Sequence, residues 1–292
     1  MLNYFDTHSH LHDKAFDIDR EEVIRDMKDK EIGTIAIGTD KLESKKAVEL
    51  ATLHENIYAS VGLHPADNVT EEFDYEFYKN LAQNNKVVAI GECGLDYFYI
   101  ENFFERDKKE KGIQIESSSR TLLSSASPSQ ALREEIKRQK RIFEEHINLS
   151  VELNKPLMLH IRASKGSVDA YIDAIDMIHT AKASGKMVTG SVHFFTGTMD
   201  VAQQFLDLGF TISFPGVITF AKEYDEVVRS IPLNMIHAET DSPYATPVPY
   251  RGKRNSPVYV EEIVKKIAEL KGLEIEVVKG QLIENTKRVF GI

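Results

Sequence analysis

Phe5-Asp6-Thr7-His8-Ser9-His10-Leu11 is the stretch on which the reading of this chain turns. A short apolar run suited to a β-strand leads directly into two histidines separated by one residue. Side chains alternate across a strand, so His8 and His10 point to the same face. Two imidazoles on one face at a strand end make half of a metal site. Alone, such a pair is more often a solvated strand end or a histidine-rich tag than a metal site. The decision rests on whether later strands end in the same kind of residue.

Beyond that stretch the chain repeats one pattern, a short apolar or β-branched run followed by a longer run of helical period. Strands are expected at 4–7, 32–38, 57–61, 87–90, 156–161, 186–192, 211–214 and 235–239. Helices are expected between them at 19–30, 42–54, 71–83, 132–153, 168–183, 199–208 and 221–230, and after the last strand at 257–270 and 274–290. Alternation of this kind argues for an α/β fold with a parallel sheet and helices outside it. Eight units are what a closed (β/α)8 TIM barrel needs, and barrels of about 250 residues are common as one unit. A doubly wound open sheet shares the local pattern and is the alternative. Asp17 or Asp19, Ser167 and Thr198 stand where helix caps are wanted.

One segment breaks the pattern. From about 100 to 130 the chain holds the charged run Glu105-Arg106-Asp107-Lys108-Lys109-Glu110-Lys111 and serine clusters at 117–119 and 124–127. That composition buries little apolar surface, so it reads as a long inserted loop after strand 4, mobile rather than folded. The expectation is a single domain over 1–292 carrying this insertion.

Composition narrows the function classes. Of 292 residues, 42% are hydrophobic and 28% charged, as in an ordinary globular protein. The single cysteine, Cys93, excludes an internal disulfide. The start of the chain has no basic, apolar, small-residue leader, and no long apolar span follows, so a cytoplasmic protein without a membrane partner is expected. The formal net charge of −10 argues against holding a long nucleic-acid duplex on a broad basic surface. It leaves room for a local grip on a few nucleotides with metals supplying the positive charge.

Metal-type residues recur at the later strand ends: Gly62-Leu63-His64-Pro65, Gly91-Glu92-Cys93-Gly94-Leu95-Asp96, Leu159-His160-Ile161-Arg162, Ser191-Val192-His193-Phe194-Phe195 and Glu239-Thr240-Asp241-Ser242-Pro243. In a barrel these ends converge on one mouth, where active sites sit. Imidazoles and carboxylates suit borderline to hard divalent ions. A carboxylate such as Glu92 or Asp241 can bridge two of them, about 3.5–4 Å apart, and such a pair activates a bound water. Asp241 could also take that water's proton.

These motifs, with His193-Phe194-Phe195-Thr196-Gly197, Glu239-Thr240-Asp241-Ser242-Pro243-Tyr244 and Arg251-Gly252-Lys253-Arg254-Asn255, fall in one order across nearly the whole chain. In that order they resemble the TatD family of metal-dependent hydrolases, within the amidohydrolase superfamily of α/β barrels. The resemblance implies two divalent metal ions, of Mg, Zn or Mn, and deoxyribonuclease activity. It implies that His8, His10 and Asp241 hold one ion, that His160 and His193 hold the second, and that Glu92 bridges them. Asp241 and Glu92 are then the catalytic carboxylates, and His64 faces substrate. Arg162 and Arg251 suit phosphate oxygens, since a guanidinium fork matches them; Arg251 and Arg254 are equally suited to surface ion pairs. Glu239 shares a strand face with Asp241 and is expected to support a ligand from behind. His12 is expected to be a bystander, and His54, His146, His179 and His237 match no motif. Cys93 has no Cys or His neighbour of its own and is not expected to be a nucleophile.

Three functions compete. The first is a two-metal deoxyribonuclease that trims single-stranded DNA or DNA ends from the 3′ side, as a monomer. The second keeps the site but acts on an amide, ester or small phosphoester. The third is a metal-stabilised binding protein, which six ligands argue against, since a structural zinc site closes with four.

Overall fold

The computed structural model describes residues 2–100 and 128–292. Eight parallel strands follow in chain order around one sheet: β1 Tyr4–Ser9, β2 Ile32–Ile37, β3 Ile57–Val61, β4 Val87–Asp96, β5 Leu157–Arg162, β6 Gly190–His193, β7 Thr211–Phe214 and β8 Ile236–Ala238. Each neighbouring pair is hydrogen-bonded in parallel. The eighth returns to the first: Ser9 bridges Ser242, His10 N–H donates to Ser242 O at 2.7 Å, and Asp241 N–H donates to His8 O at 2.9 Å. The sheet is therefore a (β/α)8 barrel, not the open sheet that shares its local pattern.

The helices are α1 Arg20–Asp29, α2 Lys41–Leu53, α3 Tyr75–Leu81, α4 Pro128–Leu153, α5 Asp169–Ala183, α6 Met199–Asp207, α7 Asp225–Ser230, α8 Val260–Lys271 and α9 Ile275–Phe290. They carry apolar stripes at helical spacing. In α1, Val23, Ile24 and Met27 are buried while Glu21, Glu22 and Arg25 face out. The main core lies between strands and helices, where Ile90 and Leu157 join a cluster with Phe143 and Ile147 of α4. A second cluster of strand residues, Phe5, Ile35, Ile37, Val88, Ala89 and Met158, meets Phe290 of α9. That helix lies beside Leu2 and Phe5, at the end of the barrel away from His10.

Expected and observed elements differ in instructive places. The fourth strand does not stop at Ile90 but runs to Asp96, fully buried throughout. Gly91 and Gly94 look like breakers, yet they permit the extension. They adopt φ of +144° and +137°, and a Cβ there would sit 2.4 Å from Met158 O and 2.2 Å from His160 O. Only glycine lets β4 lie this close to β5. Thr198 caps α6 as expected, its side chain accepting from Val201 N–H. Asp19 does not cap α1; its carboxylate pairs with Arg254 at 2.6 Å instead. The insertion expected at about 100–130 follows β4, and its residues 101–127 lie outside the described residues.

Candidate metal centre

The site is built where the barrel closes. Asp6, buried on β1, accepts from Thr240 N–H at 2.8 Å and from the Thr240 hydroxyl at 2.6 Å. These bonds, with those of His8 and His10 to residues 241 and 242, tie the first strand to the segment after the eighth. His8, His10 and Asp241 therefore meet although 231 positions separate His10 from Asp241 in sequence. His8 Nε2 and His10 Nε2 lie 3.7 and 3.5 Å from Asp241 Oδ1. Asp241 (φ +53°) and Phe194 (φ +46°) adopt left-handed backbone, unusual for residues with a Cβ and concentrated at functional sites.

Glu92 stands at the centre, and its two oxygens face different histidines. Oε2 lies 3.4 Å from His8 Nε2 and 4.0 Å from His10 Nε2. Oε1 lies 2.9 Å from His160 Nδ1, 3.1 Å from His193 Nε2 and 3.7 Å from His64 Nε2. Among the described residues, three groups place their ligand atoms within 4.8 Å of one another: His8, Glu92 and His193; His8, His10 and Asp241; and His64, Glu92 and His160.

A second layer fixes the rings. His193 Nδ1 donates to Glu239 Oε1 at 3.1 Å, which directs its Nε2 at Glu92. The same Glu239 oxygen accepts from Phe194 N–H at 2.7 Å. His160 Nε2 donates to Asp96 Oδ2 at 3.0 Å, which directs its Nδ1 at Glu92. Asp96 is held in turn: its N–H donates to Gln139 Oε1 at 2.8 Å, and its Oδ1 accepts from Tyr99 N–H at 2.7 Å. His64 Nδ1 accepts from Ala66 and Asp67 N–H, both at 3.1 Å, which leaves Nε2 facing the Glu92 carboxylate.

Electrostatics follow from burial and charge. Burial, then the neighbouring His193, hold the His8 imidazole down at about 3, so it is neutral with a lone pair to give. Burial works against a charged Glu92 too, but the surrounding His193, His8 and His64 outweigh it and keep the carboxyl well below its ordinary range. His160 is pulled down by burial and raised more by Asp96 and Glu92, to about 9. Burial pushes the Cys93 thiol well up, in keeping with an inert core residue.

The cluster opens into a cavity of about 1010 Å³. Of the three arginines read from the sequence, Arg162 lines this cavity, with its guanidinium 3.9 Å over the Phe98 ring. Arg251 lies outside the lining, over Phe220 at 4.0 Å, donating to Thr246 O. Arg254 pairs with Asp19 and covers Phe16. His12 lines the cavity wall 3.4 Å from Glu43. His146 and His237 are buried away from it, His54 is half-buried and His179 exposed.

With this geometry in hand, the likeness to known proteins is direct. The family model of TatD related DNase matches residues 5–291. The chain belongs to the TatD family. It is 37% identical to the uncharacterised metal-dependent hydrolase YabD of Bacillus subtilis, over 99% of both chains. It is 31% identical to the uncharacterised metal-dependent hydrolase YcfH of Escherichia coli K12, over 98% of this chain and 95% of that one. The crystal structure of YJJV, a TatD homologue of Escherichia coli K12, superposes with a TM-score of 0.77 over 99% and 98% of the two chains, at 22% identity, and shares the fold.

This TatD chain is thus a metal-dependent hydrolase, and its own residues fit divalent ions. His8 is wholly buried, yet among the described residues neither ring nitrogen has a hydrogen-bond partner. A buried polar atom without a partner is costly unless something else satisfies it, and this one faces carboxylates at 3.4 and 3.7 Å. Asp96 is the one residue of the cluster whose role the sequence did not suggest. The available signal was the period of two that places residues 92, 94 and 96 on one strand face.

Proposed function

We propose that this TatD chain is a deoxyribonuclease that uses two divalent ions to hydrolyse phosphodiester bonds, trimming single-stranded DNA from a free 3′ end. The observation that carries the reading is the division of the histidines between the two oxygens of Glu92. One carboxylate with imidazoles on both sides is a bridging ligand's arrangement. His8, His10 and Asp241 would hold one ion, and His160 and His193 the other.

Bound there, such ions, of Mg, Zn or Mn, would supply a water of lowered pKa and positive charge for a phosphoryl group. The protein's own groups do the rest. Glu239 and Asp96 keep the His193 and His160 rings turned toward Glu92. Asp241, on the cavity wall, takes the proton of the attacking water on a carboxylate oxygen. His64 Nε2, also on the wall, is placed to donate toward a substrate oxygen. Arg162 binds the phosphate beside the reacting one, where a planar fork fits. The net charge of −10 supplies no broad surface for a duplex. A grip by few cations releases few counterions, so salt dependence is shallow.

The test uses matched oligonucleotides labelled at either end, as single strands, duplexes and closed circles, with metal-depleted and metal-restored protein. The expected result is metal-dependent shortening of linear single strands from the 3′ end, with circles resistant. Rapid cutting of circles would replace end-trimming by endonuclease action. Turnover of small esters or amides, with every DNA untouched, would move the chain to a different bond.

A further inference from the structure

The cavity mouth carries aromatic residues on opposite rims. Eight strands in chain order put β4 and β8 half a turn apart. Phe98 follows β4, Tyr244 follows β8, and both line the cavity. Tyr244 is 59% exposed, so its ring is open to a partner at the mouth. Its backbone is nevertheless fixed. Its N–H donates to Asp241 O at 2.9 Å, and the buried Asn255 side chain donates to its carbonyl. The ring stands edge-on to His10, 6.1 Å between centres, one ring away from the metal cluster.

Across the mouth, the Arg162 guanidinium sits 3.9 Å over the Phe98 ring and has no carboxylate partner among the described residues. The contrast with Arg254 is direct. That guanidinium also lies over a phenylalanine, but its charge is taken by Asp19 at 2.6 Å. Carboxylates line both sides of the cavity, Asp13, Glu43 and Asp241 near β1, β2 and β8 and Asp67, Glu92 and Asp96 near β3 and β4; Arg162, beside β5, is the one arginine or lysine in the lining among the described residues.

We propose that Tyr244 is a stacking site for the terminal nucleobase and that Arg162, backed by Phe98, receives the next nucleotide by its base plane and phosphate. The inference rests on the nuclease reading and deepens it, giving the substrate an orientation across the mouth. Aromatic and guanidinium planes stack on any base, because every base has a π face, so the grip is tolerant of sequence. Arg162, as the guanidinium of the lining, is the group that draws the phosphate chain to its side of the mouth. A ring on a fixed backbone loses little freedom on stacking, which favours tight binding.

The experiment measures steady-state kinetics of the metal-loaded enzyme on a single-stranded oligonucleotide and on the same oligonucleotide lacking its 3′-terminal base. With wild-type protein, removal of that base should raise KM by about tenfold. Tyr244→Ala should raise KM on the intact strand by a similar factor, with kcat changed less, and Tyr244→Phe should restore it. Removing the terminal base should erase the difference between wild type and Tyr244→Ala. Arg162→Ala should lower the salt slope by about one, and Arg162→Lys should restore the slope without restoring KM. The substrate-side comparison needs no variant, so it stands even if Tyr244→Ala fails to fold. Equal KM for intact and base-free ends, or an undiminished wild-type to Tyr244→Ala difference on the base-free strand, would overturn the stacking site while leaving the nuclease intact. Failure to cleave any oligonucleotide would defeat the nuclease reading and the stacking site together.

Discussion

Two regions of the barrel bury histidines, and they treat them differently. His146, on α4, is fully buried with both ring nitrogens satisfied. Its Nδ1 donates to Ile142 O at 2.8 Å, and its Nε2 accepts from Leu63 N–H at 3.0 Å. His8, at the mouth, is as deeply buried, yet its ring nitrogens have no hydrogen-bond partner among the described residues, and carboxylates face Nε2 instead. Burial alone therefore does not mark a ligand. The backbone partners of His146 give it a structural task, which is to hold the segment after β3 against α4. The carboxylates around His8 leave its lone pair for a cation.

Glu92 should be the least tolerant residue of the mouth. Glu92→Gln should lower activity by on the order of 10³-fold and reduce bound metal, because an amide is a weak bridging ligand. A near wild-type rate would remove Glu92 from the centre. His160→Ala and His193→Ala should each release the second ion first and keep the fold, measured as metal content beside a melting curve. Unchanged metal content in both would show that the second ion's ligands lie elsewhere.

A smaller effect is expected one layer out. Asp96→Asn should weaken metal binding by about 10–100-fold, the usual consequence of losing the group that orients a ligating imidazole. Isothermal titration with the metal alone reads this without reference to turnover. Full affinity would mean that Asp96 serves only the local backbone.

The smallest effect belongs to His146. His146→Phe leaves Leu63 N–H unpaired and should cost about 1–3 kcal/mol of stability, with metal content unchanged. It should also alter the acid limb. Burial holds the folded His146 at about 4, below its ordinary 6.5. Between those values the unfolded chain binds a proton that the folded chain refuses. Stability therefore falls as pH drops through that window, by about 1.4 kcal/mol per pH unit. The variant should lose that slope in chemical denaturation across pH 4–6.5. The same slope in both proteins would mean that His146 is protonated in the fold.

Much of this was open to reading from residues alone, for physical reasons. Short apolar runs alternating with helical stripes demand a parallel sheet with helices outside, and the histidines and carboxylates stand at the strand ends that meet in a barrel. The full length of β4 was not legible. Gly91 and Gly94 weaken a strand by local propensity, and only the close approach of β5 shows why they occupy it. With the strand expected to end at Ile90, nothing in the sequence set Asp96 beside His160, and their bond stayed hidden. Arg254 was ambiguous because its partner, Asp19, is 235 positions away. Nothing local distinguishes His146 from a ligand; the distinction lies in partners that only the folded chain brings together.

A centre of two ions bridged by Glu92 can be read from metal content and anomalous diffraction at the metal edge. Two ions per chain are expected, about 3.5–4 Å apart, one on each oxygen of Glu92, and both lost when activity is lost to a chelator. A single ion, or two ions with Glu92 bound to neither, would contradict it, as would full hydrolysis by protein stripped of metal.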